Sequence, residues 1–205
     1  MDALTCLKKL EYVGVLNFAT VDEDGNPQVR NISAIHYEED ALYFFTARGK
    51  NFCKQLINDG RVQISGYTRY KESIRLSGKA FVVDDEKQKY YRDLIFKEQP
   101  YLENVYPGNT KDIGIIFGIK GFMIEYFNLG VNPIFRETYQ VGEYETKPKG
   151  YLITDSCISC GKCKNNCPQQ AIDQGIPFNI RHENCLHCGN CYENCPVNAI
   201  KHLGV

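Results

Sequence analysis

Eight of the ten cysteines fall between Cys157 and Pro196, and they fall in a repeated order. A sixteen-residue pattern runs from Cys157 to Ala171-Ile172 and recurs 28 positions on, from Cys185 to Ala199-Ile200. Each copy reads C-x2-C-x2-C-x3-C-P: Cys157, Cys160, Cys163, Cys167 and Pro168 in the first, Cys185, Cys188, Cys191, Cys195 and Pro196 in the second. Thiols this dense either bridge one another or bind metal. Disulfides belong to oxidising compartments, and Met1-Asp2-Ala3-Leu4-Thr5-Cys6 carries no basic stretch ahead of an apolar core, so a reduced, cytoplasmic setting is expected. Metal is therefore the expected partner. Paired CxxC units are also a zinc arrangement, but zinc sites do not call for a three-plus-one grouping closed by proline.

This spacing resembles the run of bacterial two-cluster ferredoxins, in which cysteine thiolates hold two 4Fe-4S clusters. In that family the fourth Cys of each run ligates the other cluster. Carried over, the resemblance implies that Cys157, Cys160, Cys163 and Cys195 hold one cluster and Cys185, Cys188, Cys191 and Cys167 the other. Gly161 and Gly189 are expected where a side chain would crowd the cluster. Pro168 and Pro196 are expected to stiffen the turn that starts a short helix.

The 205 residues leave room for a domain of about 150 residues beside this small module. Lys and Arg number 24 against 25 Asp and Glu, a balance with no basic footprint for nucleic acid. The most apolar run, Ile113 to Phe127, is broken by Lys120 and Glu125 and is shorter than the ~20 residues of a membrane span. Cys6 and Cys53, the remaining thiols, are expected to be small buried apolar residues.

Along the chain, Asp2 is expected to cap a helix whose Leu4, Leu7 and Leu10 share a face. A strand is expected at Tyr12 to Thr20, a turn at Asp22 to Pro27, and a returning strand from Gln28 to His36. Leu42 to Thr46 reads as a strand and Lys50 to Asn58 as a helix with Phe52, Leu56 and Ile57 inward. Strands at Arg61 to Thr68 and Ser73 to Val83 precede a helix from Asp84-Asp85 to Glu98, with Tyr90, Tyr91, Leu94 and Ile95 as its stripe. A loop follows at Tyr101 to Asn109, and then a strand, whole or bent, at Ile113 to Phe127. Such hairpin-linked strands are expected to close into a barrel that spares their edges. The expected domains are 1–128 and 151–205, joined by a linker at 129–150 that is rich in Gly and Pro.

The first of these domains resembles the pyridoxamine-phosphate-oxidase-like split β-barrels that bind FMN. The likeness rests on a helix-then-barrel order, on DGNPQVRNISAIHY at Asp24 to Tyr37, and on LYFFTARGKNFCKQLINDGRVQIS at Leu42 to Ser65. The fold class it implies is mainly β with helices, an FMN-binding split β-barrel, followed by a small α+β ferredoxin domain with a pseudo-two-fold repeat. By the same resemblance Arg30, Thr46, Lys50 and Asn51 grip the flavin phosphate, while Asn31, Ile32 and Ser33 meet the isoalloxazine edge. A guanidinium, a hydroxyl and a helix N-terminus are what a phosphate needs. The chain departs from the family where Lys50-Asn51-Phe52 replaces a longer basic grip and where Ser73 stands near a common flavin-contacting Gln. His36 reads as a strand-end surface residue rather than an acid.

Together the resemblances imply a reductase in which two 4Fe-4S clusters relay single electrons from an external donor, a ferredoxin or other redox protein, to FMN. The flavin would reduce a small acceptor of aromatic, flavin or nitro type, in an anaerobe. The split-barrel likeness implies a homodimer with FMN at the interface. No nucleic acid or membrane enters this reading, and no Gly-x-Gly-x-x-Gly follows a strand to bind a nicotinamide directly. A pure electron-transfer protein and a haem-binding or redox-sensing barrel are the alternatives. No catalytic side chain is identified from the sequence.

Overall fold

The computed structural model describes residues 1–204. It divides into two compact units, 1–68 with 73–125 and 138–144, and 69–72 with 126–137 and 145 onward.

The first unit opens with α1 (Ala3–Val13), which begins where the Asp2 carboxylate accepts the Thr5 amide at 2.7 Å and ends at Gly14 with φ 76°. Tyr12 and Val13, expected in a strand, belong to this helix because its stop lies at Gly14. Leu7 and Leu10 are buried, as is Cys6. β1 (Leu16–Val21) then pairs with β2 (Pro27–Ile32) across a turn held by the Asp22 carboxylate, which accepts the amides of Asp24 and Asn26. The single strand expected from Gln28 to His36 is two. It breaks at Ser33-Ala34 because β2 pairs with β1 whereas β3 (Ile35–Tyr37) pairs with β4 (Ala41–Ala47).

All seven residues of β4 are buried. α2 (Asn51–Asn58) buries Phe52, Cys53, Gln55 and Leu56, but Ile57, expected inward, is 59% exposed. β5 (Arg61–Tyr67) and β6 (Glu72–Val82) form a hairpin that buries Ile64, Ile74 and Leu76. α3 (Asp85–Glu98) packs through Tyr91, Ile95 and Phe96, while Tyr90 lies off that stripe and faces out. The expected loop holds a helical turn, α4 (Leu102–Val105), and a 3-10 turn at Gly108–Ile113. β7 (Gly114–Asn128) runs without a break. Gly118 lets Phe81 lie on it, since a Cβ there would fall 2.6 Å from the ring. β8 (Phe135–Val141), inside the expected linker, pairs with β7.

The sheet order is β2-β1-β5-β6-β7-β4-β3, with β8 on β7: a half-barrel whose end strands are not joined. Its core is aromatic. Phe44 lies 5.1 Å from Phe18 and 5.8 Å from both Phe52 and Phe117, ring centre to ring centre.

In the second unit β9 (Gly150–Ile153) pairs with β12 (Ile200–Leu203), enclosing α5 (Lys162–Asn165), the β10 (Ile172–Asp173) and β11 (Asn179–Ile180) pair, and α6 (Asn190–Glu193). The repeat is written into the backbone. Left-handed conformations occur in pairs 28 residues apart, at Ser159 and His187, Gly161 and Gly189, and Gln170 and Asn198. Gly161 and Gly189 adopt φ of 79° and 82°, a left-handed conformation that side chains rarely adopt. The prolines also act differently from expectation: α5 and α6 precede Pro168 and Pro196, so the prolines follow helices and do not start them.

Truncating Phe44 to Ala should destabilise the first unit by about 3–5 kcal/mol, because three ring contacts vanish and leave a cavity. Denaturant unfolding followed by far-UV circular dichroism measures this, and a loss below about 1 kcal/mol would mean the site collapses around the gap.

Candidate functional site

Two kinds of site are built by these elements. In the second unit one cavity is bounded by Cys157, Cys160, Cys163 and Cys195, and a second by Cys185, Cys188, Cys191 and Cys167. Each therefore takes three thiols from one copy of the repeat and the fourth from the other. The local cause is the same in both: a left-handed residue and glycine bend the first three cysteines into a loop, and α5 or α6 then carries the fourth away. Cys160 and Cys188 reach the surface, whereas Cys163, Cys185 and Cys191 are buried. Among the described residues, no three His, Cys, Asp or Glu side chains converge on a point suited to a single ion. The four thiols of each set instead line a common cavity, with three from one copy of the repeat and one from the other, the grouping that a two-cluster ferredoxin uses.

Burial pushes the thiols of Cys163, Cys185 and Cys191 up, that of Cys191 to about 11. Cys157 moves the other way, held down by the Phe178 and Ser159 amides. A metal bound among these thiols would oppose the effect of burial, because it favours their thiolate forms.

The first unit holds a cavity of about 560 Å³ between β2, β4 and α2. Arg30, Asn31, Ile32, Thr46, Lys50 and Asn51 all line it. Ser33 does not; its hydroxyl pairs with the Tyr101 hydroxyl at 2.5 Å, since the chain turns from β2 to β3 at that residue. Asp22, Glu23 and Asp24 form one rim, with Arg30, Lys50 and Lys54 elsewhere on the wall. α2 starts at this wall with no side chain capping it, so its first amides are available to an anion.

The sequence reading missed how Arg30 is held. Its Nη1 donates to Thr20 Oγ1 at 2.6 Å and to the Phe18 carbonyl at 3.3 Å, and its Nη2 donates to Gln55 Oε1 at 2.9 Å. Thr20 Oγ1 donates in turn to Gln55 Oε1 at 2.6 Å, and the guanidinium lies 4.6 Å from the centre of the Phe52 ring. Burial pulls the Arg30 pKa down, with no carboxylate opposing it. Thr20 and Gln55 were legible only as polar residues on otherwise buried faces of β1 and α2. His36, by contrast, is tied to the Glu98 carboxylate at 3.0 Å, joining β3 to the end of α3 away from the cavity lining.

The family model for pyridoxamine 5′-phosphate oxidase matches residues 5–105, and that for a 4Fe-4S dicluster domain matches residues 149–196. A ferredoxin of Butyribacterium methylotrophicum is 50% identical over 30 residues, 15% of this chain and 54% of that protein. A ferredoxin of Clostridium pasteurianum is 60% identical over 25 residues, 12% of this chain and 45% of that protein. The chain thus spans about half the length of the curated relatives it matches. Among solved structures, a NimC/NimA family protein of Clostridium acetobutylicum superposes with a TM-score of 0.54 at 25% identity, over 67% of this chain and 93% of that one. A pyridoxamine 5′-phosphate oxidase-related FMN-binding protein of Nostoc punctiforme superposes at 0.50 with 18% identity, over 69% and 93%.

Replacing Thr20 by Val or Gln55 by Leu leaves part of the half-buried Arg30 without an acceptor, and each should cost about 1–3 kcal/mol of stability. Because both act on one network, the double variant should lose less than the sum of the singles, which a double-mutant cycle in urea measures.

Proposed function

We propose that this chain, a pyridoxamine 5′-phosphate oxidase-like split β-barrel joined to a 4Fe-4S dicluster ferredoxin domain, is an iron-sulfur flavoprotein that reduces a small acceptor with electrons drawn through its clusters. The observation that carries this is the crossed sorting of eight cysteines into two cages, on a chain whose other unit holds a cavity walled by Arg30 and the start of α2. Cys157, Cys160, Cys163 and Cys195 hold one cluster, and Cys185, Cys188, Cys191 and Cys167 the other. Cys160 and Cys188, exposed at the surface, give each cage an edge that an external one-electron donor can approach.

FMN in the barrel cavity would supply the change from one-electron to two-electron chemistry. The cavity volume of about 560 Å³ suits a mononucleotide. Arg30, fixed by Thr20 and Gln55, offers its charge to the phosphate, with the Thr46 hydroxyl, Lys50, Asn51 and the first amides of α2 beside it. Asn31 and Ile32 lie further along the same wall for the ring system, and Ser33, paired with Tyr101, is left out of this set. The barrel likeness supports a homodimer with FMN at its interface. The acceptor is a planar aromatic, flavin or nitro compound, and the chemistry suits an anaerobic cell.

Anaerobic purification tests this directly. The holoprotein should show flavin and cluster absorbance together, and the flavin band should bleach when a one-electron viologen donor feeds the clusters. A spectrum with clusters only, after reconstitution with excess FMN, would falsify the reading. Arg30→Gln should weaken FMN binding about 10- to 100-fold, as loss of a charged phosphate contact does. The crossed cages have their own signature: Cys167→Ala with Cys185→Ala should leave one cluster's iron, whereas Cys157→Ala with Cys167→Ala should leave none.

A further inference from the structure

The repeat gives the two cages matched amide contacts to sulfur, and one more, from Phe178, reaches Cys157 alone. Ser159 N–H donates to Cys157 Sγ and His187 N–H to Cys185 Sγ, both at 3.4 Å. Ala171 N–H donates to Cys167 Sγ at 3.3 Å and Ala199 N–H to Cys195 Sγ at 3.2 Å. Such bonds tune a cluster's potential, but bonds matched in pairs cannot make the two clusters differ.

A residue outside the repeat also breaks the match. Arg136, on β8, donates from Nη1 to the Cys185 carbonyl at 3.1 Å, and its guanidinium lies 5.2 Å from the centre of the Phe127 ring. The segment is pinned there from both sides: the Ile134 amide donates to Gln169 Oε1 at 3.2 Å and Asn184 Nδ2 to the Ile134 carbonyl at 2.9 Å. Arg136 is half-buried, so its positive charge sits beside the Cys185 backbone with only part of its surface open to water. Because β8 stands outside the two-fold relation, that relation places no second copy of this cation at Cys157.

The repeat does differ in charge at the surface, with Lys162 and Lys164 in the first copy where Asn190 and Tyr192 stand in the second, and with Glu193 in the second. Those charged side chains are exposed, where salt screens within roughly 8–10 Å. A half-buried guanidinium bonded to the backbone of a ligand acts with less screening.

Resting on the assignment of the cages as cluster sites, we propose that Arg136 is a potential-setting residue for the cluster of Cys167, Cys185, Cys188 and Cys191, and not for the other. Reduction adds one electron and one negative charge to the cluster, so a fixed cation beside it stabilises the reduced form and raises its midpoint. The two clusters are thereby made unequal by a strand that belongs to neither motif. Arg136 acts through the Cys185 backbone and field, so it is a positioning and electrostatic residue, not a ligand.

The test is a redox titration followed by electron paramagnetic resonance on full-length, anaerobically reconstituted chains that each keep one cage. In the chain carrying Cys157→Ala and Cys195→Ala, Arg136→Met should lower the remaining midpoint by about tenfold in the reduction equilibrium, about 59 mV for a one-electron couple. Arg136→Lys should restore most of it. In the chain carrying Cys167→Ala and Cys185→Ala, Arg136→Met should leave the midpoint in place. Iron and sulfide counts separate two failures. A parent chain that takes up no clusters overturns the cage assignment and the proposal with it, whereas loaded cages with an unmoved midpoint, or with equal shifts in both, overturn the proposal alone. Should Arg136→Met shed iron, Arg136→Gln is read by the same criteria.

Discussion

Thiol coordination is the constraint on which the second unit depends. Its helices are four residues long and two of its strands are two residues long, too short for either to be stable by itself. Its core is a handful of side chains, chiefly Ile153, Ile172, Phe178, Ile180 and Ile200, and several buried members of it are cysteines. A module of this size ordinarily needs a metal or covalent staple. The crossed fourth cysteine would give that staple its topology, since each cavity takes three thiols from one copy of the repeat and one from the other. The sulfur chemistry that would carry electrons is thus the same interaction that fixes the fold.

The first unit is held on the opposite principle. No metal-ligand set spans it; a stack of rings around Phe44 fills the half-barrel, and α1 and α2 cover it with buried apolar stripes. The cavity of this unit lies at the rim of a core that is otherwise filled, where β2 leaves β1 and α2 begins. Polar groups buried at that rim are satisfied by each other, Thr20 by Gln55 and Arg30, which is the condition for keeping them in an apolar setting.

This difference explains what could be read from the sequence. Metal ligands require fixed residue types at fixed spacing, so the sequence pattern and the resemblance grouped the eight cysteines into two sets of four, and the same two sets line the two cavities. Packing requires only size and pattern, so the barrel was legible as strands and helices but not at its seams. The break at Ser33-Ala34 is a change of strand partner, which local propensity cannot register, and it moved Ser33 off the cavity. Ile57 and Tyr90 are apolar residues next to buried helical stripes, and being apolar does not by itself say on which side of the stripe's edge a side chain falls. β8 was hidden among Gly and Pro because a strand that extends an existing sheet needs little propensity of its own. Thr20 and Gln55 could not be assigned to Arg30 without the pairing of β1 and β2 that brings them together.

The way Arg30 is held also bears on what the cavity accepts. Two other buried or half-buried charges in the first unit meet an opposite charge: Glu125 pairs with Arg75 at 3.3 Å and Arg92 with Asp112 at 2.8 Å. Arg30 instead rests on a hydroxyl, an amide oxygen, a backbone carbonyl and an aromatic face, all neutral. Those contacts fix its direction without cancelling its charge. Carrying an unneutralised cation part-way out of water costs stability, and an incoming anion recovers that cost where a carboxylate partner would already have spent the interaction. The acidic turn forms the solvent side of the same cavity: Glu23 and Asp24 are exposed, where water and salt screen their charge, and Asp22 faces the amides of Asp24 and Asn26 and the Gln28 side chain at 2.9 Å. The charge of Arg30 is therefore left for an anion from outside the chain, which is what the phosphate of the proposed FMN would bring to this wall.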